Sequence, residues 1–538
     1  VCTMITTHKF LQNKISKNKA TYNSKLLFCV KNFAPTYCKA GGCIVQLAEL
    51  LKDWPCTVKG SIREEVFRIE DTVSDVKSGD LFIARKGRKH DGKKWIDKAI
   101  ERGAKAVVVD EEVFFDGFTS DVPLIWVPNI LQFSAYASAK LCGFPSEALT
   151  MIAITGTNGK TTVSHFIGQL LQKIGKRVIV IGTNGVYLNG EPYETNIEQL
   201  TTLQPKHLHP LLLEVVRDNV EYVVFEASSM GLATHRLDEC DIDIGVFLNL
   251  TEDHIEDHGS FEQYKLAKQR LAGLSKKLVL NGDDAFCRGV GVLAKRSKYY
   301  FGIKGRVDVL IQLLAEGTND STCCVQMADK EKVATIPFVG DYQRSNVAAA
   351  IAVLEMLGFS FDEVMKEVPN LTLPVGRMQT FTSEQGFRVI VDYAHTADAL
   401  KVVLQTMKNT TDQKLFVVFS CGGERDVAKR REMGTVASKF ADHIILTTDN
   451  CRSEDPKVIN QQIASGFFSS YSYEVILSRE EAIEAAINKA QKGDVIVVAG
   501  KGHERTQTIG DVTTPFSDID CVTKLLARLD DEERCSSC

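Results

Sequence analysis

Ile154-Thr155-Gly156-Thr157-Asn158-Gly159-Lys160-Thr161-Thr162 follows the apolar run Leu149-Thr150-Met151-Ile152-Ala153 and precedes an amphipathic segment, Val163–Ile174. The order is strand, glycine loop, helix. Glycines let backbone N–H groups turn toward phosphate oxygens, and the helix N-terminus adds partial positive charge. Lys160 supplies a cation for the outer phosphates, and the Thr161 hydroxyl can ligate Mg²⁺. A glycine–lysine pair alone is usually a surface turn; between a strand and a helix it reads as a nucleotide site. The common P-loop has four residues between its first glycine and the Gly-Lys pair. Here only Thr157 and Asn158 separate Gly156 from Gly159, so the loop belongs to a subset of nucleotide-binding proteins.

Outward from this loop, strands alternate with helices. Before it, Asp80–Ala84 and Ala106–Val109 read as strands around the helix Trp95–Arg102. After it come candidate strands Arg177–Ile181, Tyr222–Phe225, Ile244–Leu248 and Leu278–Leu280. The pattern restarts beyond Pro374 with Arg388–Val391, Leu415–Phe419, His443–Leu446, Glu474–Leu477 and Asp494–Val498. Helices between them include Asp398–Met407, Arg430–Phe440 and Arg479–Ala490. Such alternation predicts an α/β fold of parallel, doubly wound sheets. At roughly 100–200 residues per domain, 538 residues predict three domains. The expected layout is an extension at 1–42, a small α/β domain at 43–148, a central ATP-binding domain at 149–373, a C-terminal Rossmann-like domain at 374–532 and a tail at 533–538. The first 48 residues hold seven lysines, no arginine and no acid, and are expected to be a disordered or loosely attached extension rather than a transit peptide.

The net charge of −5 gives no support for a nucleic-acid partner, and no apolar run approaches the ~20 residues of a membrane span. The 15 cysteines are scattered, mostly in apolar segments, which predicts buried reduced thiols and a cytoplasmic setting. Cys535-Ser536-Ser537-Cys538 reads as a frayed tail rather than a metal or redox site.

Parallel sheets bind ligands at the carboxyl ends of their strands, and the remaining chemistry lies there. Glu226 closes the strand Tyr222–Phe225, where a hard oxygen ligand for Mg²⁺ is needed beside a P-loop. Residues 252–258 hold two histidines and four acids after another strand, a pattern that suits a metal or phosphate site. Ser260-Phe261-Glu262-Gln263 matches a capping box, and Lys268 lies in the helix it starts; alone, that lysine reads as a surface charge. Further along, Asp392-Tyr393-Ala394-His395, Cys421–Asp426, Asp449–Arg452 and Ala499–Glu504 follow four strands and should form one rim. Guanidiniums at Arg425 and Arg452 suit a carboxylate-bearing substrate.

Together these motifs resemble the Mur ligase family: GTNGKTT at Gly156–Thr162, EASS from Glu226, NLTEDH from Asn249, YKLAK from Tyr264, DYAHT from Asp392, CGGERD from Cys421, DNCRSEDP from Asp449 and AGKGHE from Ala499. The resemblance runs from about Val76 to Val522, and Gly79–Ala84 with Asp91-Gly92 is similar to the family's N-terminal UDP-binding domain. It implies an ATP-dependent amide ligase of peptidoglycan precursor synthesis, using ATP and Mg²⁺ through an acyl phosphate. Its substrates would be UDP-MurNAc-L-Ala-D-Glu and a free amino acid, and it would act as a cytoplasmic monomer. Gly156, Thr157, Asn158, Gly159, Lys160, Thr161 and Thr162 would hold ATP phosphates; Asn346, Arg377, Asp392 and His395 would clamp the nucleotide. Thr161 and Glu226 would bind one Mg²⁺, and His254 with carbamylated Lys268 a second; Lys160, Glu226, His254 and Lys268 form the implied catalytic set. Thr201, Thr202, Ser228 and Arg236 match acceptor-binding positions, and Arg425, Asp449, Asn450, Arg452, Gly500 and Glu504 match the amino-acid pocket.

The sequence departs from the family pattern in substrate motifs. Thr72-Val73-Ser74 replaces Asp-Ser-Arg, Leu203 follows Thr201-Thr202 in place of proline, Met230 stands for a histidine and Cys451 for the proline of Asp-Asn-Pro-Arg. Arg452 is kept, and the family associates it with meso-diaminopimelate rather than lysine. The alternative expectation is a paralogue joining an amino acid to another carboxylate acceptor, in a poly-amino-acid or secondary-metabolite pathway.

Overall fold

The computed structural model describes residues 44–87, 91–111, 120–195, 197–253, 255–468 and 471–536. The extension at 1–42, His254 and the last two residues of the tail lie outside them. The chain divides into two compact units. One holds the described residues up to Thr155 with Gly175–Gly245 and Ala267–Leu278; the other holds Gly156–Ile174, Val246–Leu266 and the described residues from Val279 on.

In the first unit a five-stranded sheet runs in the order Thr57–Lys59, Leu124–Trp126, Ala106–Val109, Asp80–Ile83, Arg68–Glu70, parallel except at its first pair. Ala106–Val109 and Asp80–Ile83 are buried along their whole length, as a strand covered on both faces requires. Leu81, Ile83 and Val108 pack with Phe133 and Tyr136 on one face, and Phe82, Val107 and Val109 with Ile96 and Ala99 on the other. The same unit carries the parallel strands Val178–Gly182, Tyr222–Glu226 and Thr150–Thr155, in register Val178–Tyr222–Thr150. Glu226 therefore ends its strand level with Ile154, one residue before the end of the strand Thr150–Thr155.

In the second unit the helix Lys160–Lys173 packs on the helix Asp341–Leu357, and Phe166 stacks on Phe338 at 5.1 Å. Val309–Glu316, Ser321–Met327 and Lys330–Ile336 form an antiparallel meander. A six-stranded sheet follows, in the order Gln379–Thr382, Arg388–Asp392, Val495–Ala499, Leu415–Phe419, His443–Leu446, Tyr473–Val475. All its pairs are parallel except the first. The last strand to be made, Val495–Ala499, is inserted between Arg388–Asp392 and Leu415–Phe419. The loops after Asp392, Ala499, Phe419 and Leu446 are thereby neighbours on one edge, as the doubly wound reading requires. Among the described residues no helix is long and apolar enough to cross a membrane.

Candidate active site

The phosphate loop is held open by close contacts that only glycine allows. Gly159 has φ +90°, and a Cβ there would lie 2.7 Å from Asn346 Oδ1. At Gly156 a Cβ would lie 2.9 Å from Leu248 Cβ. Asn249 braces the loop from the next strand end: its Oδ1 accepts from Asn158 N–H at 2.9 Å and its Nδ2 donates to Asn158 O at 3.0 Å. The Thr157 hydroxyl lies 2.9 Å from Tyr264 Oη. The Lys160 ammonium folds onto the loop, donating to Gly156 O at 2.8 Å and Thr157 O at 3.0 Å. It thus stands over the loop where phosphate oxygens are expected.

A cavity of about 380 Å³ opens from this loop and is lined by Asn158, Gly159, Thr162, Asn346, Arg377, Asp392 and His395, among others. All the proposed nucleotide-clamping residues therefore face one space with the glycine loop. Arg377 Nη2 donates to Thr161 Oγ1 at 3.3 Å, and its guanidinium sits 4.4 Å above the Tyr393 ring, a cation–π arrangement. Asp392 accepts from Met378 N–H and Ala394 N–H, both at 2.8 Å. Burial raises the Asp392 carboxyl pKa, opposed by Arg377 and by those two N–H groups. His395 Nδ1 lies 2.9 Å from the Tyr393 carbonyl, which can only accept, so Nδ1 carries the proton and Nε2 is an acceptor. Burial, with Lys429 nearby, holds that imidazole down to about 4, so it is neutral at pH 7.

The rim at the C-terminal strand ends is wired side chain to side chain. Asn450 Nδ2 donates to Glu504 Oε2 at 2.9 Å, and Asn450 Oδ1 accepts from Thr508 N–H at 2.9 Å. Gly500, at φ +113°, leaves room for Asp449, whose Oδ2 would be 2.8 Å from a Cβ there. Arg452, at φ +49°, donates to the carbonyls of Gly423 at 2.6 Å and Asn450 at 3.4 Å. A Cβ on Gly422 would be 3.4 Å from Arg452 Nη1 and 3.8 Å from Arg425 Cγ, so the two arginines flank that glycine.

In the first unit the proposed acceptor residues form one network. The Thr202 hydroxyl donates to Glu226 O at 2.8 Å, lies 3.0 Å from Ser228 Oγ and accepts from Ser228 N–H at 2.9 Å. Arg236 Nη1 donates to Thr202 O at 2.7 Å. Thr201 Oγ1 lies 3.0 Å from Thr183 Oγ1. Thr183 in turn donates from its N–H to Glu226 Oε1 at 2.9 Å and from its hydroxyl to Oε2 at 3.0 Å. Lys268, on the helix Phe261–Leu274, is only 2% exposed, so the surface-charge reading does not hold for it. The predicted Ser260 cap is present, its Oγ accepting from Gln263 N–H at 3.2 Å.

Four residues have no role assigned from the sequence. Thr183 follows the strand Val178–Gly182, so the strand-end rule pointed at it. Lys501 stands in the AGKGHE motif, where Gly-Lys-Gly lacks the Ser/Thr of a P-loop and gives the lysine no role of its own. Lys206 donates to Glu70 Oε1 and Asp71 Oδ1, both at 2.5 Å, and Arg85 Nε to Asp71 Oδ2 at 2.5 Å. These two cations bind the segment just before Thr72-Val73-Ser74, and no sequence motif marks them.

The glycine loop on a helix N-terminus, opening into a cavity at the carboxyl ends of parallel strands, defines a P-loop nucleotide-binding α/β protein. Comparison with known proteins narrows the class. Residues 154–354 match the Mur ligase middle domain, 376–502 the Mur ligase glutamate ligase domain and 74–134 the Mur ligase family catalytic domain. The UDP-N-acetylmuramoyl-L-alanyl-D-glutamate–2,6-diaminopimelate ligase of Caldanaerobacter subterraneus subsp. tengcongensis is 36% identical over 486 residues, 90% of this chain and 99% of its own. The protein of that name from Chromobacterium violaceum is 36% identical, over 87% of this chain and 96% of its own. A solved diaminopimelate ligase structure superposes with a TM-score of 0.63 at 31% identity, covering 90% of this chain and 99% of that one. The ADP complex of the MurF ligase from Thermotoga maritima shares the fold at a TM-score of 0.59 and 20% identity, covering 87% and 98%. The chain belongs to the Mur ligase family. It has the family's three-domain α/β fold and is an ATP-dependent ligase of the amide-bond-forming type.

Proposed function

We propose that the enzyme adds an amino acid, meso-diaminopimelate in preference to lysine, to UDP-MurNAc-L-Ala-D-Glu in peptidoglycan precursor synthesis. The observation that carries this reading is the charge layout of the rim. Arg425 and Arg452 have no carboxylate partner among the described residues, while Asp449 and Glu504 lie on the same rim. Such a rim receives a molecule carrying both an extra carboxylate and an extra ammonium, which diaminopimelate has and lysine lacks in part. A carboxylate oxygen of the acceptor attacks the γ-phosphorus of ATP, and ADP leaves. The amino group of the incoming amino acid then attacks the acyl carbon; phosphate departs, a proton is released and an amide remains. Lys160 neutralises charge growing on the transferred phosphoryl group, and Arg377, Asp392 and His395 hold the nucleotide. Thr201, Thr202, Ser228 and Arg236 hold the acceptor, and Arg425, Asp449, Asn450, Arg452, Gly500 and Glu504 the amino acid.

The proposed oxygen donors are of a type that suits Mg²⁺. Glu226 is a carboxylate at 1% exposure, and a Cβ on Gly182 would crowd its Oε1 at 2.2 Å, so the backbone there leaves the carboxylate room. Thr161 and Glu226 offer the hard oxygens this ion prefers; His254 and Lys268, carbamylated, are proposed to hold a second ion. When bound, Mg²⁺ offsets phosphate charge. The domain limits proposed are 43–148, 149–373 and 374–532, and the enzyme is proposed to act as a cytoplasmic monomer. A second reading, a different carboxylate acceptor, draws on the Thr72–Ser74 departure and on Glu70 and Asp71 being tied to Lys206.

The test incubates the protein with ATP, Mg²⁺ and UDP-MurNAc-L-Ala-D-Glu, offering diaminopimelate, lysine and ornithine separately. Phosphate release and product mass are measured. Amide product with diaminopimelate is expected; no product with any of the three sinks the assignment. Lys268→Ala should abolish most turnover, and near-normal activity would remove the carbamate.

A further inference from the structure

Lys501 is fully buried, at 0% exposure. Its Nζ donates to Glu504 Oε2 at 2.8 Å and to Asn450 Oδ1 at 3.2 Å, and lies 3.8 Å from Asp449 Oδ1. A buried ammonium is expensive unless paired and hydrogen-bonded. All three partners here belong to the proposed amino-acid pocket. We infer that Lys501 is a positioning residue for the incoming amino acid, an inference that rests on the ligase reading above.

The hydrogen bonds show what it positions. Asn450 Oδ1 takes two donors, Lys501 and Thr508 N–H, which fixes the amide so that Nδ2 points at Glu504. Glu504 Oε2 then receives both Lys501 and Asn450, while Oε1 carries no hydrogen bond among the described residues. One oxygen is clamped from behind and the other is presented. The topology explains how one lysine reaches both groups. Lys501 follows the inserted central strand Val495–Ala499, with the Asp449–Arg452 loop on the same edge and Glu504 three residues on. Without the ammonium, Glu504 Oε2 would keep only the Asn450 amide as its hydrogen-bond partner, and the carboxylate would be free to turn to solvent.

The experiment compares the full-chain wild type with Lys501→Met, which keeps the volume and loses the charge. Amide formation from ATP, UDP-MurNAc-L-Ala-D-Glu and meso-diaminopimelate is followed. The KM for diaminopimelate should rise about 30-fold, the loss of one charge-assisted hydrogen-bond set, with the KM for ATP within about twofold of wild type. In a Glu504→Gln background the same substitution should raise the amino-acid KM by no more than about twofold, because the group it positions is gone. An amino-acid KM within about threefold of wild type, an equal rise in the KM for ATP, or additive effects in the double variant would each overturn the proposal. If Lys501→Met loses its cooperative melt, the same split is read on Lys501→Gln. A wild type that makes no amide product defeats the ligase reading instead, and is told apart because it fails before any variant is compared.

Discussion

The two ends of the cavity-bearing unit are built on opposite plans. At the glycine loop the backbone sets the shape: Gly156, Gly159 and the N–H groups opening the helix Lys160–Lys173 come from nine consecutive residues. At the rim, side chains set the arrangement: the positions of Asn450, Lys501 and Glu504 depend on one another through hydrogen bonds, and Asp449 lies 3.8 Å from Lys501. Backbone sites tolerate little change in a few positions and much change elsewhere. Side-chain sites can be retuned one residue at a time, which suits the end of the reaction where the substrate is chosen.

Three substitutions probe that contrast. Lys160→Ala removes the one charged side chain the loop carries and should lower kcat on the order of 10³-fold, in a phosphate-release assay that leaves melting unchanged. A fall of less than about tenfold would mean the backbone cradle suffices alone. The next effect is on stability. Arg479 and Asp518 are both fully buried and pair at 2.7 and 2.8 Å, and Arg479 also donates to Ala499 O, at the base of the Lys501 loop. Asp518→Ala leaves that guanidinium unpaired and should cost about 3–5 kcal/mol, read from denaturant unfolding; a loss under 1 kcal/mol would show that the rim is not anchored there. Arg452→Ala is milder. It should raise the KM for diaminopimelate about 30-fold while moving that for lysine far less, and an equal change for both would remove Arg452 from the choice of amino acid.

The same contrast explains what could be read from the sequence. Leu415–Phe419 and His443–Leu446 are strands at the predicted residues, and the other predicted strands and helices fall within a few residues of those observed, because a strand buried on both faces is an uninterrupted apolar run. The glycine loop was legible because all its parts are contiguous. The meander Val309–Ile336 was not foreseen, since its strands expose one face and its register is set by partners rather than by a local signal. Lys501 was passed over for a related reason. Its meaning depends on Val495–Ala499 inserting beside Leu415–Phe419, an order the chain does not announce. Thr183 and Lys206 likewise acquire their roles from Glu226 and from Glu70 with Asp71, residues 43, 136 and 135 positions away.

The smallest effect concerns protons. His503 sits between the two ends, its ring 5.0 Å from that of Tyr393, which lies under Arg377. Burial, with Arg377 and His395 nearby, holds His503 down to about 4, against 6.5 for the free side chain. A base whose folded-state pKa is lowered stabilises the fold fully above pH 6.5, and that contribution is lost as pH falls from 6.5 toward 4, because the unfolded chain takes the proton first. Between pH 7.5 and 5.5 His503 should cost about 1 kcal/mol of stability. His503→Gln removes this titration. The difference in unfolding free energy between those two pH values should shrink by about that amount relative to wild type, measured by denaturant titration at each pH. An unchanged difference would mean that the imidazole reaches water in the folded protein, and that the rim is looser at this point than its hydrogen bonds indicate.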